Sequence, residues 1–200
     1  MTKKYLFTFT GASLREKDMS KLAAMMRNGA VLDHTVDMEY GKKATSKRML
    51  QEYRKRLRKL TPKQLELLAE GDLLIQKKIA LLSVCKTYDL IRDFVIEVVR
   101  DKFLIFDPYL SEGDYLSFIR RKVDLHPELE TITDKTHKKI KQVIFLILEQ
   151  AGIIDNIKSK IIQAQYVEPE ILISIIDDNP NWLKIFLMSD RDIKLNVENS

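Results

Sequence analysis

The sequence predicts a mainly α-helical protein in which two helix-turn-helix or winged-helix-like modules are joined by a helical core. Only six glycines and five prolines occur in 200 residues, so long helices can run uninterrupted. Apolar residues recur at helical spacing, and a short–short–long succession of predicted helices occurs twice. Hydrophobic residues at 45% and charged residues at 32% are typical of a folded chain.

Proline positions help to divide the chain into four predicted segments. Thr61–Pro62 and Asp107–Pro108 bound the connector, because proline suits the first turn of a helix and disrupts its interior. The segments are an N-terminal helix-turn-helix-like module at 1–61, a helical connector at 62–110, a winged-helix-like module at 111–165, and short C-terminal helices with a loosely held tail at 166–200.

The first module is predicted to contain one extended segment and three helices. Alternation over Tyr5–Phe9 indicates a short strand or an extended arm. The predicted helices run from Ser13 to Asn28–Gly29, from Ala30 to Met38, and through a strongly basic stretch that has Thr45 or Ser46 as its N-cap. In the connector, a helix begins at Thr61–Pro62 and stops at Gly71, and Asp72 then opens one or two buried helices.

The second module is predicted to be a helix capped by Ser111, a brief turn or helix that begins at His126–Pro127, a strong helix from Asp134 to Gly152, and a hairpin. The hairpin consists of the apolar pieces IID and IIQAQYV around the polar turn NIKSK, and it has the position of a wing. Short C-terminal helices begin at Glu168–Pro169 and Asn179–Pro180.

A weak internal repeat relates the two modules. TSKRM at residues 45–49 matches THKKI at residues 136–140, and Gln51 matches Gln142, all 91 residues apart. Each segment belongs to the third helix of a short–short–long triplet, which is the layout of a helix-turn-helix. The repeat therefore indicates two related halves.

Positive charge is concentrated in the basic helix. Between Lys42 and Leu60 there are nine cations and the single anion Glu52, a net charge of +8, whereas the whole chain carries +5. On a helical wheel, one face is an apolar stripe that packs on the core, and the opposite face is basic. Such a face is suited to the phosphates of a duplex. The stripe consists of Met49, Leu50, Tyr53, Leu57 and Leu60.

The candidate DNA contacts are basic and amide side chains of both modules. In the first module they are Lys42, Lys43, Ser46, Lys47, Arg48, Gln51, Arg54, Lys55, Arg58 and Lys59. In the second module they are Lys135, Lys138 and Lys141 at the start of the long helix, with Lys158 and Lys160 in the polar turn. Arginine suits phosphate and guanine, and Gln51 suits adenine.

No catalytic, metal or cofactor site is predicted. His34, His126 and His137 are scattered, no glycine-rich phosphate loop occurs, and Cys85 lies in an apolar helix where a buried thiol is expected. The longest apolar runs have six residues, too few for a membrane span. With no targeting segment, we expect a cytoplasmic protein without a membrane or small-molecule partner.

The basic helix is also compatible with three roles besides DNA binding. It can be an ordinary solvated face, although such faces usually mix both signs. The chain can be an RNA-binding helical protein like the antitermination factor NusB. It can also be a scaffold whose basic helix docks an acidic protein.

Five segments of the chain resemble the BrxA family of the BREX bacteriophage-exclusion systems, and it is their succession over residues 5–190 that carries the resemblance. The segments are TGASL, SKRMLQEYRKRL, LLSVCKTYDLIRDFVIEVVR, DYLSFIRRKVDLHPELE and KKIKQVIFLILEQAGII. The resemblance implies an all-helical fold with winged-helix-like modules, binding to double-stranded DNA, and a role in antiviral defence beside larger BREX proteins. It implies no catalytic residue, and the second module is less basic here than the first.

Overall fold

The computed structural model describes residues 4–29 and 43–199, and in the second range it describes side chains from residue 47 onward. Within these residues the protein is mainly helical, as predicted. The α-helices are α1 (Glu16–Arg27), α2 (Lys43–Leu57), α3 (Pro62–Glu70), α4 (Leu73–Thr87), α5 (Asp89–Phe94), α6 (Asp101–Leu104), α7 (Glu112–Lys122), α8 (Asp134–Gln150), α9 (Pro169–Ile176) and α10 (Asp190–Glu198).

The N-terminal segment does not form the predicted strand. Residues 4–7 have no regular structure, and the chain then winds into a 3₁₀-helix, Thr8–Gly11. Tyr5 and Phe9 are buried against the helices, so this segment gains apolar contacts instead of strand pairing. The Thr10 hydroxyl donates to the Phe7 carbonyl oxygen at 3.0 Å and supports the turn.

The helices around the basic segment agree only partly with prediction. The helix α1 ends before Asn28 and Gly29, whose φ of 77° is the left-handed conformation that glycine adopts readily. The predicted helix at 30–38 lies outside the described residues. Because α2 already includes Thr45 and Ser46, the prediction that one of them is the N-cap is wrong.

The connector follows its predicted start and stop signals. Thr61 and Gln64 form a reciprocal capping box at the start of α3, and Gly71 follows its last turn. The Asp72 carboxylate accepts from the first backbone N–H groups of α4. The sequence did not predict the π-helix, Val95–Arg100, that continues α5 into α6.

The helices of the second module also begin and end where predicted. Ser111 and Asp114 form a capping box on α7, and a 3₁₀-helix, Pro127–Leu129, follows. Thr133 caps α8, and Gly152 adopts a φ of 74° just after its end.

The predicted hairpin is present as paired backbone without regular strands. Ile154 and Ile162 form an antiparallel bridge, and Tyr109 bridges Ile161 from the other side, although the predicted module begins only at residue 111. The Asp155 N–H donates to the Ile161 carbonyl oxygen at 3.0 Å. Each bridge is an isolated pair of residues, so the pairing is too short to form regular strands. Ile153, Ile154 and Ile162 are buried, whereas Ile161 is half-buried.

The C-terminal residues are more ordered than predicted. After α9, a 3₁₀-helix at Pro180–Phe186 leads into α10, which occupies much of the predicted tail. Ile193 of α10 is buried, and Asp190 forms an ion pair with Arg100 at 3.0 Å. These contacts hold the C-terminus on the π-helix.

The N-terminal segment links the two predicted modules. The Leu14 N–H donates to the Gln150 side-chain oxygen at 2.9 Å, and the Tyr5 N–H donates to the Glu128 carboxylate at 2.5 Å. The Tyr5 hydroxyl also donates to Asp93 at 2.7 Å. Residues 4–14 therefore lie against both the basic helix and the second module, which fixes the position of one relative to the other.

Candidate nucleic-acid interface

The inner face of α2 carries the predicted apolar stripe. Met49, Leu50, Tyr53, Leu57 and Leu60 are all buried, which confirms the prediction. Because these positions share one side of the helix, the other side faces solvent.

Arg56 of α2 also points inward. Its guanidinium donates to the carbonyl oxygens of Ala12 at 2.6 Å and Ser13 at 2.7 Å. It also lies 5.9 Å and 5.6 Å from the ring centroids of Tyr53 and Tyr88. Carbonyl oxygens and ring faces replace the water that a buried cation loses. Arg56 therefore fastens α2 to the N-terminal segment and is not accessible to a phosphate.

Glu52, the single anion of the basic stretch, is buried as well. Its carboxylate accepts hydrogen bonds from the Tyr88 hydroxyl and, at 2.9 Å, from the Lys55 ammonium group. Burial raises the pKa of this carboxyl, but the hydrogen bonds from Tyr88, Lys55 and Thr8 outweigh burial and hold the pKa below its ordinary value. Glu52 is therefore ionised at neutral pH, and its charge is directed into the protein.

The outer face of α2 is consequently cationic and carries no carboxylate of its own. In the part of the chain that the structure describes, Lys55 pairs with Glu52, and no other ion pair involves this face. Lys42 lies outside the described residues, as do the side chains of Lys43 and Ser46. Lys47, Arg48, Gln51, Lys55, Arg58 and Lys59 are exposed, and Arg54 is half-buried.

Five exposed cations and the half-buried Arg54 form two parallel rows along α2 and the turn at residues 58–60 that follows it. Lys47, Arg54 and Arg58 follow one line, and Arg48, Lys55 and Lys59 follow the next, because both sets are spaced by seven and then four residues. Eleven residues at 1.5 Å each give rows of about 16 Å. That length of duplex carries about nine phosphate charges, so several can be contacted together.

The N-terminal segment borders one edge of this face. Lys55 donates to the Thr8 hydroxyl at 3.4 Å, and the Arg48 guanidinium lies so close to Gly11 that an added Cβ atom would stand 3.4 Å from it. That distance is an ordinary van der Waals contact, so the Arg48 guanidinium packs beside Gly11. The conformation of residues 8–11 therefore helps to set the direction of two basic side chains.

The start of α8 presents a smaller basic group. Lys135 and Lys138 are exposed, and the structure adds the exposed Lys139 to the predicted set. Lys141 is half-buried and pairs with Glu112 of α7 at 2.5 Å, so a carboxylate already neutralises it. The hydrogen bond from Lys141 lowers the pKa of the Glu112 carboxyl.

The two cations of the polar turn differ in exposure. Lys158 is exposed, whereas Lys160 is half-buried and places its ammonium group 5.7 Å from the ring centroid of Phe145. Lys160 has a φ of 53°, and its carbonyl oxygen accepts from the Leu110 N–H at 3.1 Å. Lys160 therefore serves the packing of the turn, and Lys158 is the free cation of the predicted pair.

A family model called BrxA matches residues 3–179. The chain belongs to the BrxA family.

Three relatives are each called BREX protein BrxA. The protein from Bacillus cereus (strain H3081.97) is 33% identical over 91 residues, 46% of either chain. The protein from Escherichia coli O9:H4 (strain HS) is 29% identical over 63% of this chain and 59% of its own. The protein from Paramagnetospirillum magneticum is 21% identical over 90% of this chain and 94% of its own. The matches thus span about half of the first two relatives and most of the third.

A solved structure shares the fold of this BrxA-family chain. It is the crystal structure of an uncharacterized protein from Magnetospirillum magneticum, with a TM-score of 0.81 at 21% identity. The match covers 93% of this chain and 99% of that one.

The described residues hold no group of three or more histidine, cysteine, aspartate or glutamate side chains placed to bind a metal ion. Cys85 is fully buried, and burial raises the pKa of its thiol to about 12. None of the described helices is both long and apolar enough to span a membrane. His126 is stacked on Tyr5 at 3.6 Å between ring centroids, a packing contact that the sequence did not predict.

The sequence did not assign the inward roles of Glu52 and Arg56. Both follow a stripe residue by three positions, Met49 and Tyr53 respectively, and they are four residues apart from each other. This spacing places them at the edge of the apolar stripe. The edge position is therefore the one signal that distinguishes Arg56 from the exposed cations around it.

Proposed function

We propose that this BrxA-family chain is a non-enzymatic accessory protein of a BREX phage-defence system and that it binds double-stranded DNA. The names of its relatives support a role in a BREX system, and the cationic outer face of α2 supports DNA as the ligand. Other BREX proteins are the expected context for its action.

The observation that carries DNA binding is the separation of charges around α2. Glu52 is turned inward, so the two rows keep six cations with no exposed carboxylate between them, and Lys55 is the one of the six that reaches Glu52. An ordinary solvated helix gains stability from opposite charges three or four residues apart, and like charges at those spacings repel. A polyanionic ligand relieves this repulsion and releases its own counterions.

A duplex of DNA suits this face better than structured RNA. The major groove of B-DNA is about 12 Å wide and admits a helix, whereas the major groove of A-form RNA is deep and narrow. Arg48, Arg54 and Arg58 can form paired hydrogen bonds with phosphate or guanine, and Gln51 can do so with adenine.

The second module supports the same ligand as a weaker contact. Helix α7, helix α8 and the paired turn, with Tyr109 bridging Ile161, follow the order of a winged helix. In this proposal the first module at 1–61 makes the main contact, and the module at 111–165 adds Lys135, Lys138 and Lys158. Lys141 and Lys160 contribute less, because each already has an intramolecular partner.

The test is duplex binding measured by fluorescence anisotropy over a range of salt concentrations. Binding should depend little on sequence and should fall by about 0.9 log unit per phosphate contact for each tenfold increase in salt. Arg54→Glu with Arg58→Glu should nearly abolish it. The matched control is Arg191→Glu with Lys194→Glu on α10, which makes the same charge change at two exposed positions and should leave most of the affinity.

Three results would contradict the proposal. Equal affinity of the two double variants would place the site elsewhere. Preference for structured RNA in competition would favour the NusB-like alternative. Capture of an acidic protein that survives nuclease treatment and requires Arg54 and Arg58 would favour the scaffold. The duplex should also be recovered intact, since no catalytic role is proposed.

A further inference from the structure

A second surface lies at the end of α6 and is apolar. Phe106 is 93% exposed and Ile105 is 72% exposed. Phe106 also has a φ of 61°, a left-handed conformation that L-residues adopt rarely and that usually selects glycine. Two hydrogen bonds that cap α6, from the Asp107 N–H to the Lys102 carbonyl oxygen at 2.9 Å and from the Phe106 N–H to the Phe103 carbonyl oxygen at 3.1 Å, account for this backbone conformation. Contacts within the described chain do not account for the exposure of the aromatic ring.

A groove lies beside this corner, between the π-helix with α6 on one side and α7 on the other. Its volume is about 470 Å³, within the range of about 300–1,000 Å³ that ligand clefts occupy. Val98, Leu104, Ile105 and Ser117 contribute to its lining. The irregular π-helical turn, a feature found frequently at functional sites, supplies one wall.

Two exposed charged residues of the groove, Asp101 and Arg121, differ from Lys102 in having no ion-pair partner among the described residues. Lys102 is held by Asp107 at 2.5 Å and by Asp114 at 3.6 Å. Asp101 and Arg121 also line the groove, but neither has an ion-pair partner within residues 4–29 and 43–199. The groove therefore offers one open charge of each sign.

We propose that this face binds a second copy of the chain across a two-fold axis. In such an interface residue i of one copy meets residue j of the other, and j meets i. Phe106 of each copy enters the groove of its partner, and Asp101 of each copy pairs with Arg121 of the other. A protruding aromatic, an adjacent groove and one open charge of each sign make the surface complementary to itself, which a uniformly acidic or basic partner would not match.

Sedimentation velocity over a concentration series tests the apolar part of the proposal. The wild-type chain should show a monomer–dimer equilibrium, and Phe106→Gly should weaken it by about tenfold or more because a central aromatic anchor is lost. Glycine suits a positive φ, so the thermal unfolding temperature of the dilute variant should not fall. A wild-type chain that stays monomeric to its solubility limit, or a dimer that Phe106→Gly leaves unchanged, would overturn the proposal.

A charge exchange tests the pairing and the symmetry together. Asp101→Arg alone places two arginines opposite each other at both ends of the interface, and Arg121→Asp alone does the same with two aspartates, so each variant should be monomeric. An equimolar mixture of the two should form a heterodimer in which both pairs are again opposite in sign. A mixture that remains monomeric while the wild type dimerises would refute the proposed two-fold pairing.

Discussion

Helices α2 and α8 are related by a weak sequence repeat at an offset of 91 residues, and their differences separate anchoring from ligand contact. Both helices bury the same three positions on their inner face. Met49, Tyr53 and Leu57 correspond to Ile140, Ile144 and Leu148, and all six are buried. The apolar stripe is therefore common to the two helices and does not decide what either one binds.

The flanks of the buried face differ in chemistry. Glu52 and Arg56 of α2 correspond to Val143 and Ile147 of α8, and all four are buried. Helix α8 is thus held by apolar packing, whereas α2 is held by hydrogen bonds to the N-terminal segment and to Tyr88. Polar anchoring specifies one orientation, since each hydrogen bond has a required direction.

The outer faces agree at the start of each helix and then diverge. Lys47, Arg48 and Gln51 correspond to Lys138, Lys139 and Gln142, and all six are exposed. Beyond this point Arg54, Lys55 and Arg58 correspond to Phe145, Leu146 and Glu149. A ligand can therefore follow α2 along its length but can meet α8 only at its first turns.

The largest expected effect comes from breaking the polar anchor of α2. Arg56→Ile should lower the free energy of unfolding by about 3 kcal/mol, because the Ala12 and Ser13 carbonyl oxygens lose the buried cation that donates to them. Adding Glu52→Val gives α2 the residues that α8 has at these positions and should lower the free energy of unfolding further, because the Tyr88 hydroxyl then loses its acceptor. Urea unfolding of both variants measures the two losses, and a double variant more stable than Arg56→Ile would contradict the polar anchoring of α2.

The structural features that depend on residues close together in the chain were predictable from the sequence, and those that depend on distant residues were not. Thr61, Asp72 and Ser111 cap their helices as expected, because a cap depends on residues two or three positions away. The burial of Arg56 depends on Ala12 and Ser13, which are more than 40 residues distant. The π-helix and the absence of a strand at Tyr5–Phe9 likewise depend on packing partners that local sequence does not show.

The same limit applies to the candidate site. The helical wheel identified the exposed side of α2, because the exposure of Lys47 and Arg58 follows from helical periodicity alone. It could not show that Glu112 neutralises Lys141 or that Phe145 lies beneath Lys160, because these contacts join separate elements. Periodicity therefore located the faces, and tertiary contacts decided which of their cations are available.

The next largest expected effect concerns the first turns of α2 and α8, which carry matching basic residues. Lys47→Ala with Arg48→Ala should weaken duplex binding by about tenfold, and Lys138→Ala with Lys139→Ala should weaken it less, because only α2 continues as a basic face. Anisotropy at one fixed salt concentration gives both values. If the α8 pair had the larger effect, the assignment of the main contact to α2 would be reversed.

A smaller effect concerns acid stability. Because the folded-state pKa of Glu52 is lowered, its stabilising contribution is present above the pKa of the unfolded carboxyl and is lost as pH falls through the folded-state pKa. Glu52→Gln should therefore reduce stability at pH 7 and reduce it much less in acid. Unfolding at pH 7 and below pH 4 measures the difference, whereas a constant offset between the two proteins at both pH values would argue against an ionised Glu52.

The smallest expected effect concerns the paired turn, which follows α8 but has no counterpart after α2, where Leu60 leads directly into α3. If the turn acts as a wing, Lys158→Ala should lower duplex affinity slightly and reduce the salt slope by about 0.9, the value for one phosphate contact. Lys160→Ala should leave the slope unchanged, because the Lys160 ammonium group lies over Phe145, and should instead reduce stability. Salt titration and urea unfolding of the two variants separate these roles. An unchanged slope for Lys158→Ala would remove the wing contact from the proposal and leave the first turns of α8 as the duplex contact of the second module.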